Sequence, residues 1–197
     1  GKASIYPDHF PSKWYTHSKS LRNRDYFVNE LNKNELPVMD ASSWFVDLNK
    51  NTNYPLFFFF LIHWTHYGEY VFMDSLSNYL NASGFKVPSL EIEKIEVKTT
   101  PVYPDDDIEQ GMNLLLDIPN KPLAYPKIRF SMDKKRASAI LIGDSYLYNM
   151  FVTKFYKRMF HKFWYYYYNE DRYAYNDFLN NELNQKIRTE DLKQTDC

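Results

Sequence analysis

The chain has 197 residues, and its 24 lysines and arginines nearly balance 25 aspartates and glutamates, which leaves a net charge of −1. This length suffices for one α/β domain with a buried core, and the mixed charge gives no sign of a nucleic-acid groove or a polybasic membrane contact. Five glycines, none in a G-x-G-x-x-G pattern, exclude a glycine-rich phosphate loop. The only cysteine, Cys197, excludes an intramolecular disulfide and a cysteine-based zinc site, so we expect no metal and no cofactor.

The first third of the chain predicts short elements joined by loops. Residues 2–11 are punctuated by prolines and predict a loop, and apolar spacing over residues 17–32 predicts a helix. Residues 36–40 predict a short strand, and residues 41–48 a short helix capped by Asp40 or Ser42. The apolar run 56–64 is short for a helix and has no polar alternation, so it predicts a strand buried on both faces.

The middle of the chain predicts an amphipathic helix over residues 69–80 and an extended segment over 87–103. Three adjacent aspartates at 105–107 then precede a predicted short helix over 108–116. Negative charge near the N-terminus stabilises a helix, so these aspartates are well placed for its first turn. The three aspartates also suggest a calcium loop, but the spacing and the distal glutamate of an EF-hand are missing. Residues 121–136 predict a polar loop or hairpin.

The last third predicts an alternation of strands and helices. The sequence indicates a buried strand at 139–142, a helix at 146–160, a strand at 161–168 and a helix at 175–187. Such alternation favours a mainly parallel sheet in an α/β sandwich.

Ser145 follows the strand at 139–142 and a turn made by Gly143 and Asp144. A serine at a strand-to-helix junction lies where parallel α/β sheets form their crevices, and free N–H groups of the helix start can stabilise negative charge. These features suit a nucleophile beside an oxyanion hole. The alternative is structural, with Asp144 and Ser145 simply capping the next helix.

A nucleophilic serine needs a base, and His63 is the best placed histidine, because it ends a predicted buried strand and precedes a turn and a helix. A structural histidine is the alternative. The other candidates are His9, His17, His66 and His161.

The sequence Gly143-Asp144-Ser145-Tyr146 resembles the Gly-Asp-Ser block of SGNH/GDSL hydrolases. Here the histidine block precedes the serine block, an order similar to the permuted SGNH-like domains of alginate O-acetylation proteins (AlgX/AlgJ type) and of DHHW-type proteins. Residues 61–70 resemble the histidine block of that family, residues 2–7 its lysine-to-Tyr-Pro loop, residues 36–40 its next strand and residues 107–119 its Asp-Leu-rich helix. The resemblance runs in order over most of residues 2–168.

The resemblance implies an SGNH-hydrolase-like (flavodoxin-like) three-layer α/β sandwich with a mainly parallel sheet, in a single domain over residues 1–197. It implies Ser145 as nucleophile and His63 as general base. The supporting and oxyanion turn would be Gly143, Asp144 and Tyr146, and the substrate side would include Trp64, His66 and Tyr67.

One position departs from the family pattern. The acid of the family lies two residues before the histidine, where this chain has Leu61, which can neither accept the Nδ1–H bond nor stabilise an imidazolium. Another acid could replace it, with Asp40, Asp47 and Asp144 as candidates, or the protein could work as a Ser–His dyad, or catalysis is lost.

The implied activity is O-acetyl transfer to a cell-envelope or exported polysaccharide, or hydrolysis of its acetyl esters, through an acetyl-serine intermediate. The partners implied are a polysaccharide acceptor, an acetyl donor and a membrane-bound O-acyltransferase, at an extracytoplasmic location. The alternative is a catalytically impaired SGNH-like protein that binds glycan or assists assembly of the envelope. A chain that opens at Gly1 without methionine is expected to be a fragment or processed form, truncated at both ends of the family's sheet.

Overall fold

A computed structural model of the chain describes residues 6, 11, 22–58, 61–116, 121–131 and 136–167, and the backbone of two strands at 171–176 and 181–184. Most of the predicted loop over residues 2–11 and the candidate bases His9 and His17 lie outside the described residues. The chain divides into two compact units, residues 1–56 and 57–197, which are described separately below. A single domain over 1–197 stays a prediction.

The first unit contains helices α1 (Asn23–Lys33) and α2 (Ala41–Asn51), in agreement with the two helices predicted there. Asp40 caps α2, because its side chain accepts a hydrogen bond of 3.2 Å from the Ser42 N–H. Arg24 Nε donates to Asp40 Oδ1 at 2.9 Å, and this pairing lowers the pKa of Asp40. The strand predicted at residues 36–40 is wrong: these residues form no strand with any described part of the chain, and Pro37 has no N–H for a ladder.

The second unit begins with helix α3 (His66–Ala82), the amphipathic helix that the sequence predicts. It starts three residues before the predicted start, since Thr65 Oγ1 accepts a hydrogen bond of 3.0 Å from the Gly68 N–H. Strands β1 (Leu90–Lys98) and β2 (Leu123–Phe130) follow and pair antiparallel, which confirms the extended segment predicted over 87–103. The loop or hairpin predicted over 121–136 is wrong for its first part, because residues 123–130 form a single strand whose partner is the distant β1. The short helix α4 (Asp107–Met112) lies in the connection between them.

A parallel strand–helix–strand unit comes next. Strand β3 (Ala139–Gly143) leads into helices α5 (Ser145–Val152) and α6 (Phe155–Met159), and β4 (Lys162–Tyr167) pairs parallel with β3. The predicted helix over 146–160 is therefore present as two pieces. The break falls at Lys154, whose φ of 60° is left-handed.

The end of the chain differs from the prediction. Strands β5 (Asp171–Asn176) and β6 (Asn181–Asn184) replace the predicted helix over 175–187, and they extend the sheet in the order β3-β4-β5-β6. The β4–β5 and β5–β6 pairings are antiparallel. Among the described strands only β3–β4 is parallel, so a mainly parallel sheet is not found there. The physical reason is that β4, β5 and β6 follow one another closely in the chain, whereas a parallel pairing needs a crossover connection of a dozen or more residues.

The strand predicted over residues 56–64 is also wrong. Phe57 and Trp64 form an isolated antiparallel bridge with each other, so the segment turns back on itself within a few residues. Its burial was correctly predicted, because Phe58 and Leu61 form a small core with Leu123. Side-chain packing, and not a ladder of strand hydrogen bonds, accounts for the apolar run.

The main core of the second unit lies between α3, the antiparallel β1–β2 pair, the α5–α6 pair and β4. Its most deeply buried side chains, each fully shielded from solvent, are Met73, Met150, Met159, Phe163 and Tyr165. This core fixes the carboxyl end of β3, and with it the turn at residues 143–145, relative to the start of α3.

None of the helices in the described part of the chain is both long and apolar enough to cross a membrane. Nor do the described residues bring three or more metal-ligating side chains together.

Candidate active site

The turn around Ser145 is held by three contacts. The Asp144 side chain accepts a hydrogen bond of 3.0 Å from the Tyr146 N–H and caps α5. The buried Tyr165 hydroxyl of β4 donates to the Asp144 carbonyl at 2.6 Å. A Cβ atom at Gly143 would overlap the Leu147 side chain, so the strand end passes close to the helix. The predicted strand–turn–helix at this serine is therefore present.

Ser145 is the first residue of α5 and is partly exposed. The next two N–H groups are occupied by Asp144, with Tyr146 N–H on its carboxylate and Leu147 N–H on its carbonyl at 3.1 Å. The Ser145 N–H has no acceptor among the described residues. The one open donor of this helix start is thus at the serine itself, where an oxyanion would form.

His63 lies opposite a carboxylate that sequence reasoning did not select. His63 Nδ1 is 3.1 Å from Asp107 Oδ2, and the two side chains are only 14% and 15% exposed. When Nδ1 carries the proton and donates to Asp107, Nε2 holds a lone pair. His63 Nε2 is buried and has no hydrogen-bond partner among the described residues. This arrangement occupies one ring nitrogen of His63 and leaves the other without a partner.

Asp107 is fixed by a second contact. Its Oδ1 accepts a hydrogen bond of 2.9 Å from the Ile62 N–H, so both carboxylate oxygens bind adjacent residues of the histidine segment. The acid therefore comes from the start of α4 and not from position 61. Leu61 is fully buried in the small apolar core beside Phe58.

The three acids considered from the sequence have other partners. Asp144 caps α5, Asp40 binds Arg24, and Asp47 lies 3.1 Å from the Lys50 ammonium.

Tyr146 connects the serine turn to the histidine. Its ring lies edge-on to His63 with 5.2 Å between ring centroids, and its hydroxyl donates to the Ile62 carbonyl at 3.1 Å. Burial, followed by the charges of Asp144 and Asp107, raises the pKa of Tyr146, so this hydroxyl stays a donor. The residue after Ser145 therefore packs directly on the predicted base.

The predicted substrate-side residues have different surroundings. Trp64 is 7% exposed, stacks on Phe72 with 4.8 Å between centroids, and meets the Tyr146 ring edge-on at 5.4 Å. It is a packing residue beneath the site. Tyr67 is half-buried, with its ring 6.4 Å from that of Tyr70.

His66 belongs to a second histidine–aspartate pair. Its Nδ1 lies 3.1 Å from Oδ1 of the fully buried Asp105, but the two groups are not aligned for a hydrogen bond, so this contact is electrostatic. The main-chain N–H of His66 donates to both Asp105 oxygens, at 3.2 and 3.4 Å. Burial alone would lower the pKa of His66, but Asp105 and Glu69 outweigh it and the pKa is raised.

Glu69 lies one turn into α3 and is 2% exposed. Thr153 Oγ1 donates to Glu69 Oε1 at 2.7 Å. Burial raises the pKa of Glu69 from 4.5 to about 7, against the opposing effects of Thr153 and His66. A carboxyl group that takes up a proton near neutrality thus lies next to the second pair.

Sequence reasoning missed Asp105, Asp107 and Glu69. The aspartates at 105–107 were interpreted as helix-start residues or a calcium loop, whereas the structure engages each of them with N–H donors: His66, Gln110 and Ile62 respectively. The only signal was the position of residues 107–119 in the resemblance to the permuted family.

Comparisons with known proteins give one informative match. No family model matches this chain, and no curated protein matches it. Among solved structures, the chain is similar to the O-acetyltransferase domain of Pseudomonas putida AlgJ, with a TM-score of 0.52 and 16% sequence identity. The likeness covers 85% of this chain and 61% of that chain.

At this identity the likeness is one of fold. It confirms the α/β class, and this chain spans 61% of the length of that neighbour, while the SGNH relationship stays a prediction. The narrower assignment to AlgX-like or DHHW-type proteins stays a prediction, as do the roles of Ser145 and His63.

Proposed function

We propose that this chain is a serine-dependent O-acetyltransferase or acetylesterase in which Ser145, His63 and Asp107 act as nucleophile, base and orienting acid. The observation that carries the proposal is the buried His63–Asp107 contact of 3.1 Å, which leaves His63 Nε2 buried and without a partner. Leu61 was the reason to expect a non-catalytic protein. The carboxylate of Asp107 gives the histidine the partner that Leu61 cannot supply, and so favours the enzyme.

In the first half-reaction, Ser145 Oγ attacks the carbonyl carbon of an acetyl ester while His63 Nε2 takes the hydroxyl proton. The negative charge that develops on the carbonyl oxygen faces the open Ser145 N–H. Asp107 stabilises the imidazolium. Collapse of the tetrahedral intermediate breaks the ester bond, and the leaving alkoxide takes the proton back from His63.

In the second half-reaction, a sugar hydroxyl or water gives its proton to His63 Nε2 and attacks the acetyl-serine carbonyl. Collapse releases Ser145 Oγ, which recovers the proton from His63. The product is an acetylated sugar when a hydroxyl attacks and acetate when water attacks. Transfer therefore depends on how well an acceptor excludes water from the site.

The proposed acceptor is a cell-envelope or exported polysaccharide, with an acetyl donor that a membrane-bound O-acyltransferase would supply outside the cytoplasm. The resemblance of the sequence blocks to alginate O-acetylation proteins supports these assignments. The structural neighbour is an O-acetyltransferase domain, and its activity agrees with them.

The test compares Ser145→Ala with Ser138→Ala, an exposed serine just before β3, in hydrolysis of p-nitrophenyl acetate. We expect Ser145→Ala to lose at least about 10³-fold in rate and Ser138→Ala to keep the parent rate. Mass spectrometry of the parent should show one added acetyl group on the peptide that contains Ser145. Equal rates for the parent and Ser145→Ala, with no acetylated peptide, would disprove the serine mechanism.

A further inference from the structure

A cleft of about 1050 Å³ opens in the second unit, away from Ser145, His63 and Asp107, none of which lines it. One wall is strand β2, and the other is the break between α5 and α6 together with α6 itself. Its volume is at the upper end of the range for small-molecule sites. His66 and Thr153, which contact the buried Asp105 and Glu69, lie along its lining.

Positive charge dominates the lining of this cleft. It carries six cationic side chains and, among the described residues, one carboxylate, Glu93. The six cations are Lys127, Arg129, Arg136, Lys154, Lys157 and Arg158. The protein as a whole has a net charge of −1, so this concentration is a local feature.

Carboxylates of the described residues pair with Lys127 and Arg129. Lys127 lies 3.5 Å from Glu93, and Arg129 pairs with Glu91. In the part of the chain that the structure describes, neither Lys154 nor Arg158 has a carboxylate within 4 Å. Among the described residues, Lys154 and Arg158 therefore contribute positive charge to the cleft that no carboxylate pairs with.

Two of the arginines are held in place by neutral groups. Arg136 Nη1 donates to the carbonyls of Lys157 and Arg158, at 2.7 and 3.0 Å. The Arg158 guanidinium lies 5.1 Å from the centre of the Phe130 ring. The ring contact positions the Arg158 guanidinium without removing its charge, which lowers the entropic cost of binding an anion.

We infer that this cleft binds an oxyanion group, a phosphate or a carboxylate, carried on a ligand. Fixed guanidinium groups match the paired oxygens of either anion, and flanking ammonium groups add charge without strict geometry. The site is separate from the proposed acetyl chemistry and does not depend on it.

Lys154 gives the sharpest test. It is exposed on the cleft wall at the α5–α6 break, and its left-handed φ of 60° is one that asparagine adopts readily. Lys154→Asn therefore removes one positive charge and keeps a residue that tolerates the left-handed backbone conformation at this position. Lys121→Asn, an exposed lysine outside the cleft lining, makes the same charge change and is the matched control.

The experiment titrates the full chain with tripolyphosphate and with trigalacturonate by calorimetry at 150 mM NaCl. We expect saturable binding of at least one probe, about tenfold weaker in Lys154→Asn and unchanged in Lys121→Asn and Ser145→Ala. Binding of only one probe identifies the anion as phosphate or carboxylate. Absence of binding to both probes, or equal weakening of binding in both lysine variants, would overturn the inference. If Ser145→Ala is inactive but still binds the probe, anion binding is shown to be separate from the proposed acetyl chemistry.

Discussion

Two histidine–aspartate pairs lie side by side in this protein, and the same two short segments supply both. His63 meets Asp107 and His66 meets Asp105, each with 3.1 Å between Nδ1 and a carboxylate oxygen. In each pair the carboxylate also accepts a main-chain N–H, from Ile62 in the first pair and from His66 in the second.

The surroundings of the pairs differ. His63 has a well-aligned contact to its aspartate, a buried Nε2 without a partner, and the ring of Tyr146 against it. His66 begins a helix, and its aspartate is fully buried at the helix N-terminus, where the helix dipole stabilises negative charge. Identical residue types therefore support two roles: the first pair is suited to proton transfer and the second to anchoring α3 to the segment that carries Asp107.

The largest difference should appear when the two histidines are replaced in turn. His63→Gln should lower kcat/KM for p-nitrophenyl acetate by at least about 10³-fold, because the serine loses its base. His66→Gln should lower it by less than about tenfold, since His66 contacts no reacting atom in the proposed mechanism. Steady-state kinetics on both variants measure this. Equal losses would show that the division of roles is wrong.

The next effect concerns the acid. Asp107→Asn should lower kcat by about 10² to 10⁴-fold, because an amide does not stabilise the imidazolium and can select the wrong tautomer. Asp106→Asn is the matched control, since that side chain binds Gln110 and contacts neither histidine. Kinetics of the two variants, with circular dichroism to verify folding, provide the measurement. A fully active Asp107→Asn would mean that the protein works without an acid.

Glu69, next to the second pair, should make the stability of the folded protein depend on pH. Its pKa is about 7 in the folded protein against 4.5 ordinarily, so between these values the folded state binds more protons than the unfolded chain. The free energy of unfolding should therefore fall as the pH rises through this window, and the raised pKa of His66 acts in the same direction.

Glu69→Gln should reduce that fall between pH 5 and pH 8 by about 2–3 kcal/mol, measured by urea unfolding at both values. The exposed Glu96→Gln is the control and should leave the fall unchanged. An unaltered pH dependence in Glu69→Gln would show that this carboxyl group ionises normally.

The smallest effect is expected at the anchor of the second pair. Asp105→Asn keeps one acceptor for the His66 N–H but removes the charge at the start of α3, at a cost of about 1–2 kcal/mol of stability. The loss of the carboxylate should also lower the pKa of His66, which nuclear magnetic resonance can follow. Unchanged stability together with an unchanged His66 titration would rule out the anchoring role.

Local patterns in the sequence were enough to predict the serine turn and its neighbours. Asp144 caps α5 by accepting the N–H of Tyr146, two residues further along the chain, and Ser145 follows a short apolar strand. Both features depend only on residues that are close together in the sequence. The helix at 66–82 and the strand at 162–167 were predicted for the same reason.

Long-range contacts explain the failures. Asp107 reaches His63 across 44 positions, and a first-turn aspartate has the same sequence pattern whether or not it has a distant partner. The apolar run before His63 predicts burial correctly but cannot distinguish a ladder strand from a segment that folds back on itself. The helix predicted over residues 175–187 is wrong because the first of these residues pair with β4, and this pairing outweighs the helical spacing of the apolar side chains.

Ile62 joins the two halves of the candidate site through its backbone alone. Asp107 accepts its N–H and Tyr146 donates to its carbonyl, while its side chain is 57% exposed. Since neither bond involves the side chain, substitution at position 62 is tolerated by the site geometry for every residue except proline, which lacks the N–H. The surface beside the candidate site can therefore vary at this position without loss of the two main-chain hydrogen bonds that hold Asp107 and Tyr146 next to His63.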